Sequence, residues 1–171
     1  TTGTTTGNGT SNPNSGIYAK NKGTDLTINA ADTTGETQGI FADNDGTGAL
    51  SITTTGTTKG TSSRGINANN STAGTSLTIN AEDTTGTQGI YAKNFGTGAL
   101  EITTSGTTTG TTYAGIYANN SAAGTSLTIN AATTTGGVFG IFAKNFGTGA
   151  LEITTTGTTT GSSSIGIYAI N

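Results

Sequence analysis

Apolar residues in this chain come in pairs spaced by two, and the pairs recur. Leu-x-Ile stands at Leu26/Ile28, Leu50/Ile52, Leu77/Ile79, Leu100/Ile102, Leu127/Ile129 and Leu151/Ile153. A spacing of two is the strand period, so Leu and Ile share one face and the residue between them takes the other. A second segment, Gly-Ile-x-Ala, opens at Gly16, Gly39, Gly65, Gly89, Gly115, Gly140 and Gly166, with Asn67 the sole non-aromatic residue at x. The fourth residue after each glycine is Lys20, Asp43, Asn69, Lys93, Asn119, Lys144 or Ile170. Charges at that position belong in water. Alternation then turns Tyr18, Phe41, Tyr91, Tyr117, Phe142 and Tyr168 outward, and Ile17, Ala19 and their equivalents inward.

A third segment is built from threonine and glycine: TTTGTTKG (Thr53 to Gly60), TTSGTTTG (Thr103 to Gly110) and TTTGTTTG (Thr154 to Gly161). Threonine suits a pleated surface, and each glycine permits a corner or bulge. No stretch carries apolar residues at helical spacing, and glycine or β-branched threonine interrupts every candidate helix.

The glycines of Gly-Ile are 23, 26, 24, 26, 25 and 26 residues apart, a unit of about 25. Skipping one unit sharpens the match, so two unit types alternate: GTSLTINAEDTTGTQ (Gly74 to Gln88) and GTGALEITTSGTTTG (Gly96 to Gly110). Three short strands per unit, repeated without helices, describe one rung of a parallel β-helix. A rung cannot bury its own apolar side; stacking rungs about 4.8 Å apart pairs every backbone and closes an Ile/Leu core. The expected fold is an all-β, right-handed parallel β-helix of about six and a half rungs, some 31 Å long at that spacing. It forms one repeat segment over residues 1–171, with rungs beginning near 16, 39, 65, 89, 115, 140 and 166. The opening TTGTTTG (Thr1 to Gly7) matches Thr155 to Gly161, and the closing GIYAIN (Gly166 to Asn171) is a first strand without its Leu-x-Ile. Both boundaries therefore fall inside a repeat, and the expectation is a window on a longer stack.

Five residues after each repeat glycine stands an asparagine: Asn21, Asn44, Asn70, Asn94, Asn120, Asn145 and Asn171. Parity points it inward at the end of a strand, where the chain turns. Asparagine accepts turn backbones, and its amide both donates and accepts, so stacked copies satisfy one another. The expected role is structural.

Composition narrows the chemistry. Thr, Gly, Ala, Asn and Ser dominate; there is no Cys, His, Met or Trp. No disulfide framework or thiolate metal site is possible, and the commonest general base is missing. Nine acids against six bases give a net charge of −3, the wrong sign for a nucleic-acid partner. No apolar run approaches the roughly 20 residues of a membrane helix.

β-helices also host polysaccharide-cleaving enzymes, so carboxylate pairs bear on the reading. Glu101 and Glu152 take the outward position between Leu and Ile two rungs apart, about 9.6 Å, loosely compatible with an inverting hydrolase. The face is flat, however, and nothing nearby would raise one pKa; no catalytic residue is assigned. Asp43-Asn44-Asp45-Gly46 resembles the opening of a calcium loop, but the later rungs read Lys93-Asn94-Phe95 and Lys144-Asn145-Phe146. No metal or cofactor is expected. The outward column Thr27, Ser51, Thr78, Glu101, Thr128 and Glu152 has the look of an ice-matching threonine array, which the strongly hydrated glutamates spoil. The outward aromatics Tyr18, Phe41, Tyr91, Tyr117, Phe142 and Tyr168 are the candidate contact ladder, since exposed aromatic rows commonly mark contact surfaces; equally, rings stacked on adjacent strands stabilise the sheet by ~0.5–1 kcal/mol per pair. Asn8, Asn69 and Asn119 sit in N-x-Ser/Thr sequons, the acceptor pattern for N-glycans.

The run GIYAKNFGTGALEITTSGTTTG (Gly89 to Gly110), with its copies along the chain, resembles the passenger repeats of bacterial autotransporter adhesins, type V secreted surface proteins. That resemblance implies export across two membranes and a right-handed β-helical stalk held at the cell surface by a C-terminal barrel. The 171 residues include neither the barrel nor a signal peptide, as expected of an internal or processed fragment. The functional expectation is a non-catalytic segment of a secreted bacterial surface adhesin or stalk. Its partners would be a host-surface protein or glycan, or copies of itself. The alternative is a self-assembling extracellular fibre subunit stacking through open ends.

Overall fold

The computed structural model describes residues 5–7 and 14–171; the sequon residue Asn8 and residues 1–4 of the opening repeat lie outside them. The described chain is an all-β parallel solenoid of about six turns of about 25 residues, with no helix among the described residues. Each turn lays one strand on each of three parallel sheets, and every sheet runs in strict order along the axis. The Gly-Ile segments form the first sheet, for example Ile40–Asn44, Ile66–Asn70 and Ile90–Asn94. The Leu-x-Ile segments form the second, as in Leu77–Ala81 and Leu100–Thr104. Three-residue Thr-Thr-Gly or Thr-Lys-Gly strands such as Thr58–Gly60 and Thr84–Gly86 form the third. Thr5–Gly7 pairs with Thr33–Gly35 on that third sheet, so the opening repeat does continue the stack.

The register sets like upon like. Ile90 pairs with Ile66 and Ile116, Leu100 with Leu77 and Leu127, and Asn94 with Asn70 and Asn120. Strand alternation drives the burial: Ile90, Ala92 and Asn94 are fully buried while Tyr91 and Lys93 are half-buried on the outer face. Leu100 and Ile102 are likewise buried, with Glu101 exposed between them. The core is one continuous column of Ile, Leu and Ala. Each fully buried Ile or Leu contributes about 1.5–3 kcal/mol towards holding the rungs together.

The two rung types differ at the corners. The corner from the second to the third sheet has two residues in one type (31–32, 82–83, 132–133) and three in the other (55–57, 105–107, 156–158). The longer corners stack directly on the shorter ones. Asp32 Oδ1 accepts the Thr57 amide at 2.9 Å and Asp83 Oδ1 accepts the Thr107 amide at 2.7 Å. Corner backbones also bond from rung to rung, as in Thr55 N to Ala30 O at 3.0 Å and Phe95 N to Asn70 O at 2.9 Å.

The recurrent Gly-Ile dipeptide has a steric cause. A Cβ on Gly89 would lie 2.6 Å from the Gly115 carbonyl oxygen and 2.7 Å from the Thr108 Cγ2 methyl. The glycine lets the third and first sheets close around a column of threonines. Thr33, Thr58, Thr84, Thr108 and Thr134 are fully buried there, and the hydroxyls of Thr58, Thr84, Thr108 and Thr134 find no protein partner.

Candidate functional site

Two ladders cross every rung of the first sheet, one inside and one outside. Inside, the asparagine side chains form a continuous hydrogen-bonded chain. Asn21, Asn44, Asn70, Asn94, Asn120 and Asn145 each donate Nδ2 to the Oδ1 of the next asparagine, ending on Asn171, at 2.7–3.0 Å. The second Nδ2 proton goes to the backbone of the following corner: Gly48 and Gly98 oxygens in one rung type, Thr75 and Thr125 oxygens in the other. Where the corner begins with a residue and a glycine, Oδ1 also accepts that glycine's amide, as in Gly46, Gly96 and Gly147 at 3.2–3.3 Å. This is an Asx turn repeated along the solenoid. The amides of this ladder are thus satisfied by one another and by the backbone, whereas the buried amide oxygens of Gln38 and Asn67, outside the ladder, find no protein partner.

Outside, the rings stack. Tyr18 lies on Phe41 with centroids 4.8 Å apart, and Tyr91, Tyr117, Phe142 and Tyr168 continue at 4.8, 5.2 and 5.0 Å with planes within 17° of parallel. These centroid separations match the rung repeat. Stacking covers the ring faces, so the ladder is less open than alternation alone implies: Tyr18 is 47% exposed at the first rung, whereas Phe142, packed also by Tyr113 and Phe139, is only 8% exposed. Solvent meets ring edges rather than ring faces.

Two further rings join where strands lengthen. In Ala114–Asn120 and Phe139–Asn145 the first-sheet strand grows to seven residues and brings in Tyr113 and Phe139. Their centroids lie 5.5 Å apart edge to face, and Phe139 stands 5.1 Å from Phe142. Burial raises the Tyr113 pKa above the usual phenol value, reinforced by the neighbouring tyrosines.

The gap at Asn67 is filled. The Arg64 guanidinium carbon lies 3.8 Å from the Tyr91 ring centroid, and Arg64 Nε donates to Gln88 Oε1 at 2.9 Å. A planar cation replaces the missing ring, its burial lowering the Arg64 pKa against the opposing effect of Tyr91. Asn67 is itself buried at 4% exposure. Lys93 and Lys144 place Nζ 5.0 Å from the centroids of Tyr91 and Phe142. Lys20 forms a salt bridge with Asp43 at 3.2 Å, and that hydrogen bond is the chief cause of its raised pKa.

Comparison with protein-family models, with curated proteins and with solved structures gives no match.

The remaining candidates are placed apart. Glu101 and Glu152 stand on the open second sheet with Thr128 between them in register. The groove beside them is lined by Thr103, Thr104, Asn130, Ala131, Thr154 and Thr156, which offer hydroxyls and one amide but no acid, base or thiol. In Asp43-Asn44-Asp45 the Asn44 oxygen already accepts from Asn21 and Gly46, and Asp43 is tied to Lys20. Those three side chains do not converge, and no cluster suited to a metal ion occurs among the described residues. Asn69 and Asn119 lie half-buried on the outer face of the first sheet.

Sequence reasoning missed the buried threonine column, the ring-filling Arg64, and Tyr113 with Phe139. One signal was available for the first. Lys59 occupies the middle of its Thr-Lys-Gly strand, and parity from that charge places Thr58, with every equivalent threonine, inside.

Proposed function

We propose that this chain is a non-catalytic segment of a secreted bacterial surface adhesin or stalk that presents an elongated contact surface. The observation that carries the reading is the complete internal ladder. Each rung satisfies its buried amide on the next, so the structure lengthens by repetition and makes a rod rather than an enclosed pocket. A rod that adds about 4.8 Å per 25 residues is an economical way to hold a surface away from a cell. With no cysteine in the chain, its folding is indifferent to the redox state of its surroundings.

The contact surface in this reading is the outer face of the first sheet, with Tyr18, Phe41, Tyr91, Tyr117, Phe142 and Tyr168 in line. Because the faces of the inner rings are stacked, a host protein or glycan would meet ring edges, tyrosine hydroxyls and the flanking Lys93 and Lys144. Ring edges carry positive partial charge, so together with the ammonium groups they favour an acidic or hydroxyl-rich partner.

The test is immunogold labelling with antibodies raised against this segment, applied to intact and to permeabilised cells of the producing organism. The reading expects labelling of intact cells, displaced outward from the envelope. Label confined to permeabilised cells would overturn it.

A further inference from the structure

The corner between the first and second sheets carries a pattern that neither the core nor the ring ladder requires. At its tip stand Phe95 and Phe146, 40% and 54% exposed, two rungs apart. Between them the tip is Ala122 and Ala123, both exposed, and before them Thr72 and Ala73. On the first-sheet flank of the same two rungs stand Lys93 and Lys144. On the second-sheet flank stand Glu101 and Glu152. The only salt bridge among the described residues is Lys20 with Asp43, so neither lysine is paired with a carboxylate. The corner is an apolar ridge with a cationic slope on one side and an anionic slope on the other, both charged at the same two levels.

We propose that this ridge is a homodimer interface, at which two copies pair parallel and in register about a two-fold axis running along the solenoid. Symmetry and charge fix the orientation. A two-fold parallel to the solenoid axis sets the first sheet of one copy beside the second sheet of the other. Lys93 then faces Glu101 of the second copy and Lys144 faces its Glu152, each pair occurring twice, while Phe95 meets Phe95 and Phe146 meets Phe146. An antiparallel two-fold sets like sheets side by side and opposes Lys93 to Lys144 and Glu101 to Glu152. The parallel interface is isologous and closed, and does not propagate.

The rungs between and before the two phenylalanines accept this arrangement. The intervening rungs offer only small uncharged residues at the tip, which let the two chains approach. On the first two rungs the same axis sets Lys22 against Lys22 and Asp45 against Asp45, each one rung from its opposite in the second copy, so this end of the ridge adds no net attraction. The ridge is only one corner of each rung wide, a narrow contact beside the roughly 800 Å² per partner of a standard interface. The dimer of these rungs alone is therefore weak, and it strengthens with each added pair of rungs that repeats the pattern. The inference does not rest on display at a cell surface.

The test uses the whole 171-residue chain in low-salt buffer, followed by sedimentation equilibrium up to millimolar concentration. The expected result is a monomer–dimer equilibrium that weakens as salt screens the flanks. Lys93→Glu/Lys144→Glu and Glu101→Lys/Glu152→Lys each weaken self-association by roughly tenfold or more, and an equimolar mixture of the two restores it. Both sets of positions face outward, so circular dichroism should match the parent and exclude misfolding as the cause, with thermal unfolding lowered only slightly in the lysine variant by loss of its contacts with the Tyr91 and Phe142 rings.

Orientation is read by cross-linking, which the absence of native cysteine makes clean. Thr97→Cys and Thr148→Cys, both at exposed tip positions, should each link to their own kind through a short bismaleimide. Mixed together, they should give little Thr97–Thr148 product, and Thr112→Cys on another corner reports random collision. A chain that stays monomeric at millimolar concentration would overturn the proposal. So would self-association indifferent to charge reversal, or cross-linking that favours the Thr97–Thr148 pair. Failure of surface labelling with success here would discard the cell-surface reading and leave the dimer standing.

Discussion

Asn94 is the best single place to test whether the inner amide ladder holds the rungs together. It is fully buried, and both ends of its amide are hydrogen-bonded. Its Nδ2 donates to Asn120 Oδ1 and the Gly98 carbonyl, each at 3.0 Å; its Oδ1 accepts from Asn70 Nδ2 at 2.8 Å and from the Gly96 amide at 3.2 Å. Asn94→Ala strands one proton of Asn70, the Asn120 oxygen and the Gly96 amide. At about 1–2 kcal/mol for each stranded group, the cost is about 3–6 kcal/mol. Asn94→Asp is nearly isosteric but puts an oxygen where the donor was, facing two acceptors, and buries a charge with no cation beside it. Its cost at pH 7 should exceed that of alanine.

The pH dependence separates this account from simple loss of packing. In the folded Asn94→Asp variant the introduced carboxyl has its pKa raised by burial and by the facing oxygens, whereas the unfolded value is about 3.9. The folded state then binds the proton more tightly than the unfolded one. The penalty of charge burial is therefore absent below about pH 4, grows as pH rises above that unfolded value, and is complete above the folded pKa. When protonated, the acid can donate one of the two missing hydrogen bonds. Thermal unfolding by circular dichroism at pH 7 and pH 3, each referred to the parent at the same pH, measures the effect. Asn130→Ala on the exposed face serves as a control and should stay within about 0.5 kcal/mol. An Asn94→Asp variant as stable as the parent at pH 7, or a deficit that does not shrink on acidification, would refute the reasoning.

Other perturbations follow from the same packing. Thr84→Val replaces a fully buried hydroxyl that has no protein partner with a methyl group of the same shape, and should stabilise by about 1–2 kcal/mol in denaturant titration. Gly89→Ala forces a Cβ against the Gly115 carbonyl and the Thr108 methyl, and should lower the melting temperature by an amount corresponding to about 2 kcal/mol or more. Ile90→Asp places an unpaired charge in the core column and should cost several kcal/mol, with hydrogen exchange quickened chiefly in the adjoining rungs. Arg64→Ala removes the cation stacked on Tyr91 and should cost about 1 kcal/mol in thermal unfolding while increasing solvent access to Asn67.

Much of the fold was legible because its signals are one-dimensional. Leu-x-Ile and Gly-Ile-x-Ala mark two strands by alternation, and the charges at Lys20, Asp43, Lys93 and Lys144 fix which parity faces water. The inward asparagine could be read from the same parity, and the structure supplies its bonds. What resisted reading lies where neighbours are chemically alike or where partners come from another rung. In Thr-Thr-Gly, nothing but Lys59 distinguishes the inner threonine from the outer one. Asp32 and Asp83 look like surface acids, yet they receive the corner amides of Thr57 and Thr107 about 25 residues later. Arg64 sits in a corner, and its place in the ring ladder depends on the gap left by Asn67 three residues on. The low exposure of Phe142 could not follow from alternation, because Tyr113 and Phe139 pack on it in addition to its stacked neighbours.

The central claim is that rungs of about 25 residues stack in register, so that distance along the axis depends on rung number alone. Double-label electron paramagnetic resonance tests it directly, since spin labels can be placed through introduced cysteines in a chain that has none. One label goes at Glu152 and the second at Thr78, Ser51 or Thr27, which all occupy one outward column of the second sheet. The account predicts separations that rise in equal steps of about 4.8 Å per rung, from about 14 Å for Thr78 to about 24 Å for Thr27. Distances that fail to rise linearly, or that place Thr27 nearer to Glu152 than Thr78 is, would contradict it.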